Sequence, residues 1–176
     1  MSTPLCQMAA ELSRHILWSD GVMYDSLSKI SADELVRERP TLFRNILHSM
    51  NHIVVINDIW KHHLLGIRHT YTARNTPDHP PLDELREQHL ALDRWYVQWF
   101  DAQSETSLMH SVDFELIGGQ AGSMTRMQIL QHIAMHTHYH RGYVADMMFQ
   151  IPGQRPPTMD LPVFYRVGLS NDTSPH

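Results

Sequence analysis

Apolar residues recur every three or four positions along four long stretches of the chain, the spacing that lines one face of an α-helix. These stretches run from about Pro4 to Ile30, Thr41 to Leu65, Leu82 to Gln103 and Thr125 to Ile151. Each stretch is long enough to form an amphipathic helix that buries its apolar face. Four such helices in one chain predict an all-α fold, a four-helix bundle with long connections.

The segments between these helices have the composition of turns and loops. Ser31 followed by Glu34 is a capping-box pattern, which predicts a short helix that ends near Pro40. The segment Ile67 to Pro81 is rich in Thr, Asn, Asp and Pro, which predicts a long loop. Residues 107–117 partly alternate between apolar and polar side chains and predict a short extended arm, which the glycines that follow would end.

Nothing in the sequence divides the chain into several domains. Its 176 residues match the ordinary size of one domain, and no internal repeat or linker-like composition interrupts it. We therefore expect a single helical domain over residues 1–168. The last residues, 169–176, are polar and lack helical periodicity, which predicts a flexible tail.

Composition and charge exclude several classes of protein. A formal net charge of −5 without a basic run argues against a nucleic-acid partner, and 42% apolar residues argue against a disordered chain. No uncharged apolar stretch reaches the roughly 18–20 residues that span a bilayer. Met1 to Ala10 lacks the pattern of a signal peptide, so we expect a cytoplasmic protein with no membrane partner. The single cysteine, Cys6, excludes an internal disulfide and a cysteine-type zinc site.

Histidine is unusually abundant, with 14 residues, and its position on the fourth helix is informative. At about 3.6 residues per turn, His132, His136 and His140 share one helix face, whereas His138 points away. An i, i+4 pair of histidines can place two imidazoles on one metal ion. His132 and His140 are about 12 Å apart along the axis. The helix therefore supplies two ligands, either His132 with His136 or His136 with His140.

The second helix offers a partner pair of histidines, His48 and His52, at the same spacing. In a bundle the two faces can meet across the core, and three histidines would leave coordination positions open for water or substrate. Spacing alone does not choose between His48 and His52. It also leaves open the alternative that these histidines are hydrogen-bonded core residues without metal.

Three segments resemble a known family. His136 to Val144 reads His-Thr-His-Tyr-His-Arg-Gly-Tyr-Val and resembles the Asn-His-x-x-x-His-Arg-Gly-Gln signature of the DinB-like (damage-inducible) metal-binding proteins. Pro156 to Tyr165 is similar to the tail that follows this helix in the family, and Asn51 to Trp60 is similar to its second-helix element. The similarity extends from about Arg14 to Arg166. It implies a metal-binding four-helix bundle that forms a homodimer.

Carried over residue by residue, the resemblance places a metal ion on His52, His136 and His140. It implies that His132 and His138 are surface or hydrogen-bonded residues. The sequence departs from the family signature at three positions, where it carries Met135, Tyr139 and Tyr143 in place of Asn, a frequent His and Gln. The resemblance therefore does not extend to the family side chains at these positions, which can orient ligands or substrate.

A divalent ion on three neutral imidazoles would remain a strong Lewis acid, able to activate a thiol or water. Zinc or nickel is the expected ion, with iron or manganese as alternatives, since imidazole suits several metals. The resemblance implies a small-molecule substrate, because characterised relatives include thiol-cofactor-dependent S-transferases and a mycothiol-dependent isomerase. We therefore predict a metal-dependent transferase or hydrolase. The alternatives are a non-catalytic protein that binds metal or a small ligand, and a stress-response scaffold with a structural ion.

Several other residues have side chains suited to proton transfer, ligand recognition or nucleophilic chemistry. Arg141 could contact either an anionic substrate or a carboxylate partner, and the sequence does not decide between them. Asp58, Tyr139 and Tyr143 are candidates for proton transfer. The aromatic stripe on the third helix is predicted to be core, as are the paired methionines of the fourth; these residues are Trp95, Tyr96, Trp99, Met147 and Met148. Cys6 is not expected to be catalytic.

Overall fold

A computed structural model of the chain describes residues 3–168, and the predicted tail 169–176 lies outside this range. Four long helices dominate it, and they confirm the predicted all-α bundle: α1 (Pro4–Leu27), α3 (Ile46–Leu65), α4 (Leu82–Asp101) and α6 (Arg126–Phe149). Shorter elements connect or follow them: α2 (Ala32–Val36), α5 (Glu105–Leu108), β1 (Ser111–Glu115), β2 (Ala121–Thr125), α7 (Leu161–Val163) and a π-helical turn (Phe164–Gly168).

The helix ends follow local capping chemistry. The side chain of Thr125 accepts a hydrogen bond from the Gln128 backbone, and the Gln128 side chain accepts one from the Thr125 backbone, which is a complete capping box at the start of α6. Gly66 ends α3 in the left-handed conformation (φ 66°). The predicted start of the second helix near Thr41 was five residues too early. Asn45 is the N-cap, because its side chain accepts the His48 backbone N–H at 2.8 Å.

The predicted extended arm is the first strand of a β-hairpin. β1 pairs with β2 in antiparallel register, with Phe114 opposite Gly122. A Cβ atom at Gly122 would lie 2.5 Å from the Phe114 ring, so this position requires glycine for the ring to cross the partner strand. Periodicity did not reveal β2, since its short and glycine-containing sequence carries little strand signal.

The bundle core consists of two apolar clusters stacked along the helices. α1 packs against α4, α3 packs against α6, and α1 with α6 and α3 with α4 complete the ring of contacts. Tyr96 is buried in one cluster with Trp95 and Trp99 packed against it, and Met147 and Met148 are fully buried in the other. The predicted core roles of Tyr96, Met147 and Met148 are confirmed, whereas Trp95 and Trp99 are half-buried at the edge of their cluster. Among the described residues, no helix is both long and apolar enough to cross a membrane.

Candidate metal centre

Three histidines from two facing helices meet at one point in the bundle. His52 comes from α3, and His136 and His140 lie one turn apart on α6. One ring nitrogen from each lies within 4.8 Å of those of the other two, so the three imidazoles could hold a single ion. His136 Nε2 and His140 Nε2 are 2.9 Å apart. The structure therefore brings together the three residues that the resemblance singled out.

Packing between α3 and α6 fixes the relative position of the two histidine-bearing faces. Asn57, about one turn beyond His52, donates a hydrogen bond from Nδ2 to Thr137 Oγ1 at 3.3 Å, and both residues are fully buried. His52 and His140 are 5% and 4% exposed. Two of the three imidazoles are thus buried in the bundle, and that of His136 is half-buried.

A loop carbonyl orients His52. Its Nδ1 lies 2.9 Å from the carbonyl oxygen of Arg74 and donates a hydrogen bond to it, which leaves Nε2 as a lone-pair donor toward the other two histidines. Asn75 and Thr76 anchor this loop to α3, because the Asn75 amide and the Thr76 backbone N–H both donate to the Asn51 side chain, at 3.2 and 3.0 Å. This is the arrangement in which a metal-binding histidine commonly donates its other N–H to a carbonyl.

Burial keeps the three histidines neutral. Loss of hydration, reinforced by the neighbouring histidines, lowers the pKa of His136 to about 3 and that of His140 to about 4. Burial also lowers the pKa of His52, although its hydrogen bond to Arg74 opposes the shift. Neutral imidazoles are the form that binds metal, so in this respect the donor set fits a divalent ion. Within residues 3–168, Nδ1 of His136 and Nδ1 of His140 have no hydrogen-bond partner.

A cavity of about 480 Å³ opens onto the three histidines. Phe43 forms one wall, with its ring centroid 4.8 Å from that of His52 and 4.6 Å from that of His140. Trp60 and the hairpin residues Leu116 and Ile117 contribute further apolar surface. This size suits a small molecule, and apolar walls strengthen electrostatic interactions within the cavity by excluding water.

The other candidate histidines lie outside the three-histidine group. His132 lines the same cavity and stacks on His136 at 5.5 Å, with Trp60 on its other side at 4.9 Å. His48 also lines the cavity, at the Phe43 side. His138 is exposed on the opposite face of α6. His132 lies about two turns before His140 on α6, so the rise of the helix separates it from the point where the other three imidazoles meet.

The remaining candidate side chains are accounted for by other contacts. Arg141 is 1% exposed and donates from Nη1 to Asp20 Oδ1 at 2.8 Å, so its partner is a carboxylate. Asp58 accepts a hydrogen bond from Tyr71 at 2.9 Å. Tyr139 and Tyr143 share a hydroxyl–hydroxyl hydrogen bond of 2.7 Å beside His140. Neither Asp58 nor Cys6 lines the histidine cavity.

Sequence reasoning missed several parts of the site. The Arg74 contact uses a backbone carbonyl, which no side-chain pattern reveals. Phe43 fell within the predicted second helix, whereas it lies in the segment that precedes α3. A second buried group, formed by Asp20, His89 and Asp93, was also missed. The sequence did contain one sign of this group. Asp20 lies four positions after Ile16 and three before Met23, which places an ionisable side chain on the apolar face of α1.

Comparison with known proteins places the chain in a family. A search of curated proteins returns no match. A family model described as DinB family matches residues 1–171, which is nearly the whole chain. The match agrees with the helical bundle and with a three-histidine group that could hold a metal ion. This chain belongs to the DinB family.

Proposed function

We propose that His52, His136 and His140 bind one divalent metal ion through their Nε2 atoms. The observation that supports this most strongly is the convergence of three ring nitrogens within 4.8 Å of one another, with His52 and His140 buried and His136 half-buried. Nε2 of His136 and Nε2 of His140 lie 2.9 Å apart, and a metal ion is a partner that can accept the lone pairs of both atoms at once. The lowered pKa values of all three add support, since protons would compete weakly with a metal at neutral pH.

We further propose that the ion is zinc or nickel, with iron or manganese as alternatives. Neutral nitrogen donors suit the later transition metals better than they suit calcium or magnesium. The donor set carries no negative charge. A divalent ion held there would retain its full charge and would supply Lewis acidity, lowering the pKa of a bound thiol or water.

The cavity supports a function on a small molecule, and we propose a metal-dependent transfer of a thiol or hydrolysis. Phe43 and Trp60 would exclude water from the reacting groups, and the Arg74 carbonyl would keep the Nδ1 proton on His52. His132 and His48 line the cavity as neutral imidazoles with pKa values lowered by burial, so either is available to accept a proton.

We also propose that the protein forms a homodimer. Gel filtration with light scattering, which measures the molar mass in solution, tests this.

A second candidate function is binding without chemistry. Among the described residues that line the cavity there is no carboxylate, serine, cysteine or tyrosine, so histidine is the only side chain available for acid–base catalysis. A protein that only holds the ion or a small ligand would need no further group. Turnover separates the two functions: the metal-loaded protein is incubated with a panel of low-molecular-weight thiols and electrophiles. No rate above buffer across that panel would refute the transferase proposal.

Metal content of purified variants tests the site itself. We expect His52→Ala, His136→Ala and His140→Ala each to lose most of the bound divalent ion, as measured by elemental analysis. His138→Ala is the matched control, since this exposed histidine lies on α6 between two proposed ligands. His132→Ala is a stricter control, because it removes an imidazole that lines the same cavity. Unchanged metal content in the three proposed ligand variants would refute the proposal.

A further inference from the structure

A second cluster of ionisable side chains lies inside the bundle, on the side of α6 away from the histidine cavity. Asp20 comes from α1, His89 and Asp93 from α4, and Arg141 from α6. All four are at most 1% exposed. Burial of so many ionisable groups is expensive unless their charges and hydrogen bonds are balanced.

The hydrogen bonds around the two carboxylates are incomplete if both are ionised. Asp20 Oδ1 accepts from Arg141 at 2.8 Å. Asp20 Oδ2 and both oxygens of Asp93 have no donor in the described part of the chain, and one oxygen of each residue lies within 4.8 Å of the other. Acceptor atoms that face one another in a dry interior need a proton or a cation between them.

Charge balance favours the proton over a metal ion. Two carboxylates and one guanidinium carry a net charge of −1, and one proton brings the cluster to neutrality. A divalent ion would instead leave a charge of +1 beside Arg141, in an interior where uncompensated charge is costly. Arg141 cannot lose a proton to remove this excess positive charge, because its guanidinium remains protonated in proteins.

His89 fits the same arrangement as a neutral ring. Its Nδ1 lies 3.2 Å from the Tyr24 hydroxyl, and its Nε2 lies 3.5 Å from Asp20 Oδ2. The Tyr24 hydroxyl has one proton and two acceptors in reach, His89 Nδ1 and the Leu85 carbonyl at 3.4 Å. Donation to Nδ1, the shorter contact, places the ring proton on Nε2, which faces Asp20 Oδ2 without forming a hydrogen bond to it. Burial lowers the pKa of His89, which is consistent with a single ring proton.

We propose that Asp93 is a neutral carboxylic acid that donates a hydrogen bond to Asp20, and that the resulting Asp20–Arg141 ion pair positions the metal-binding face of α6. Burial and the adjacent Asp20 charge raise the pKa of Asp93 well above its usual range, in agreement with this geometry. The second half of the proposal rests on the metal site proposed above.

The positioning role follows from helix geometry. Consecutive residues on a helix point about 100° apart, so anchoring Arg141 toward α1 and α4 sets the direction in which His140 points toward α3. An Arg141 side chain without a buried counter-charge would leave its position and rotate or shift this part of α6. The two faces of the helix are therefore coupled, although no atom of Asp20 or Asp93 lines the histidine cavity.

Infrared spectroscopy tests the buried acid without reference to metal. We expect the wild-type protein at pH 7 to show the carbonyl stretch of a protonated carboxyl group, and Asp93→Asn to lack it. Asp101→Asn is the control, since Asp101 is a partly exposed carboxylate on the same helix, ion-paired with Arg14 at 2.6 Å. Absence of the band from the wild type, or its persistence in Asp93→Asn, would overturn the proposal.

Zinc affinity and the visible spectrum of the cobalt-loaded protein test the positioning role. Asp93→Asn preserves the neutral form, so we expect its zinc Kd to stay within about threefold of wild type. In Asp20→Asn/Asp93→Asn, Arg141 has no counter-charge, and we expect about tenfold or greater loss of zinc affinity with a shifted cobalt spectrum. Asp20→Asn alone should be intermediate, since Asp93 can ionise and replace the lost carboxylate.

Three results would overturn the positioning role. One is a double variant that melts at a lower temperature but keeps wild-type zinc affinity and cobalt spectrum. A second is an equal loss of zinc affinity in Asp20→Asn and Asp93→Asn. This comparison uses the single variants and can be made even if the double variant does not fold. A third is a second equivalent of zinc bound by the wild type and lost from Asp93→Asn. If the wild type binds no ion, the metal proposal fails and the positioning role with it, while the infrared band still decides the state of Asp93.

Discussion

The loop that orients His52 offers a quantitative test of how the site is built, through the substitution Asn75→Ala. The Asn75 amide donates to the His48 carbonyl at 2.8 Å and to the Asn51 side chain at 3.2 Å. Each hydrogen bond contributes about 0.5–1.5 kcal/mol net, so the loss of both should destabilise the folded protein by about 1–3 kcal/mol. For a chain of this size, that corresponds to a fall in melting temperature of roughly 2–12 °C.

The larger effect should be on metal binding. Without this anchor the Arg74 carbonyl is free to move away from His52 Nδ1, so the imidazole loses the acceptor that fixes its orientation. Loss of such a supporting contact typically weakens metal binding by about 10–100-fold. Zinc affinity is measured by competition with a chromophoric chelator, and stability is measured by thermal denaturation of the metal-free protein.

The matched control is Thr76→Ala in the same loop. It removes the exposed hydrogen bond from the Thr76 hydroxyl to Asp78, at 2.9 Å, but leaves the Thr76 backbone N–H on Asn51. We expect this variant to bind zinc as the wild type does. Unchanged zinc affinity in Asn75→Ala would contradict this prediction, because it would show that metal binding does not depend on the Asn75 anchor of the loop.

Three further predictions concern pH and glycine positions. The pKa of His140 is about 4 in the folded protein and 6.5 in the unfolded chain, so the unfolded state takes up the proton first as the pH falls. The metal-free protein should therefore lose about 2 kcal/mol of stability from this residue between pH 7 and pH 5. Urea denaturation with excess chelator measures this, and the loss should shrink by that amount in His140→Ala; an unchanged loss would contradict the prediction. Gly122→Ala places a Cβ 2.5 Å from the Phe114 ring and should destabilise the protein by about 1–3 kcal/mol, as seen by thermal denaturation; a neutral effect would mean that the hairpin adjusts without cost. Gly142→Ala in α6 meets nothing within 4 Å and should stabilise the helix by roughly 0.5–1 kcal/mol in the same assay, so a fall in melting temperature would count against the placement of this residue.

The long helices were predictable because their signal is local. Periodic apolar residues, the capping box at Thr125 and Gln128, and the terminal Gly66 each act within one or two turns of the chain. Errors arose where local signals were weak or ambiguous. The start of α3 was placed too early, because Thr41 to Asn45 has no strong break, and β2 was not expected, since its pairing with β1 supplies the stability that its own sequence lacks.

For the same reason, only part of the candidate site was predictable from the sequence. Histidine spacing on α6 limited this helix to two ligands, and the resemblance selected His52, His136 and His140, which the structure brings together. The other elements of the site come from distant parts of the chain. Phe43, the Arg74 carbonyl and the hairpin residues Leu116 and Ile117 are brought to it by connections whose paths no periodicity describes.

The helical class of this protein and the face that each helix buries follow from the sequence alone, because hydrophobic periodicity and capping are encoded within a few neighbouring residues. The sequence also determines which histidines share a helix face. The packing of the bundle, which local patterns do not encode, turns Arg141 inward to Asp20 and brings the Arg74 carbonyl to His52. Both contacts join residues separated by more than 20 positions, and they form only when the packing of the bundle removes water from the groups involved.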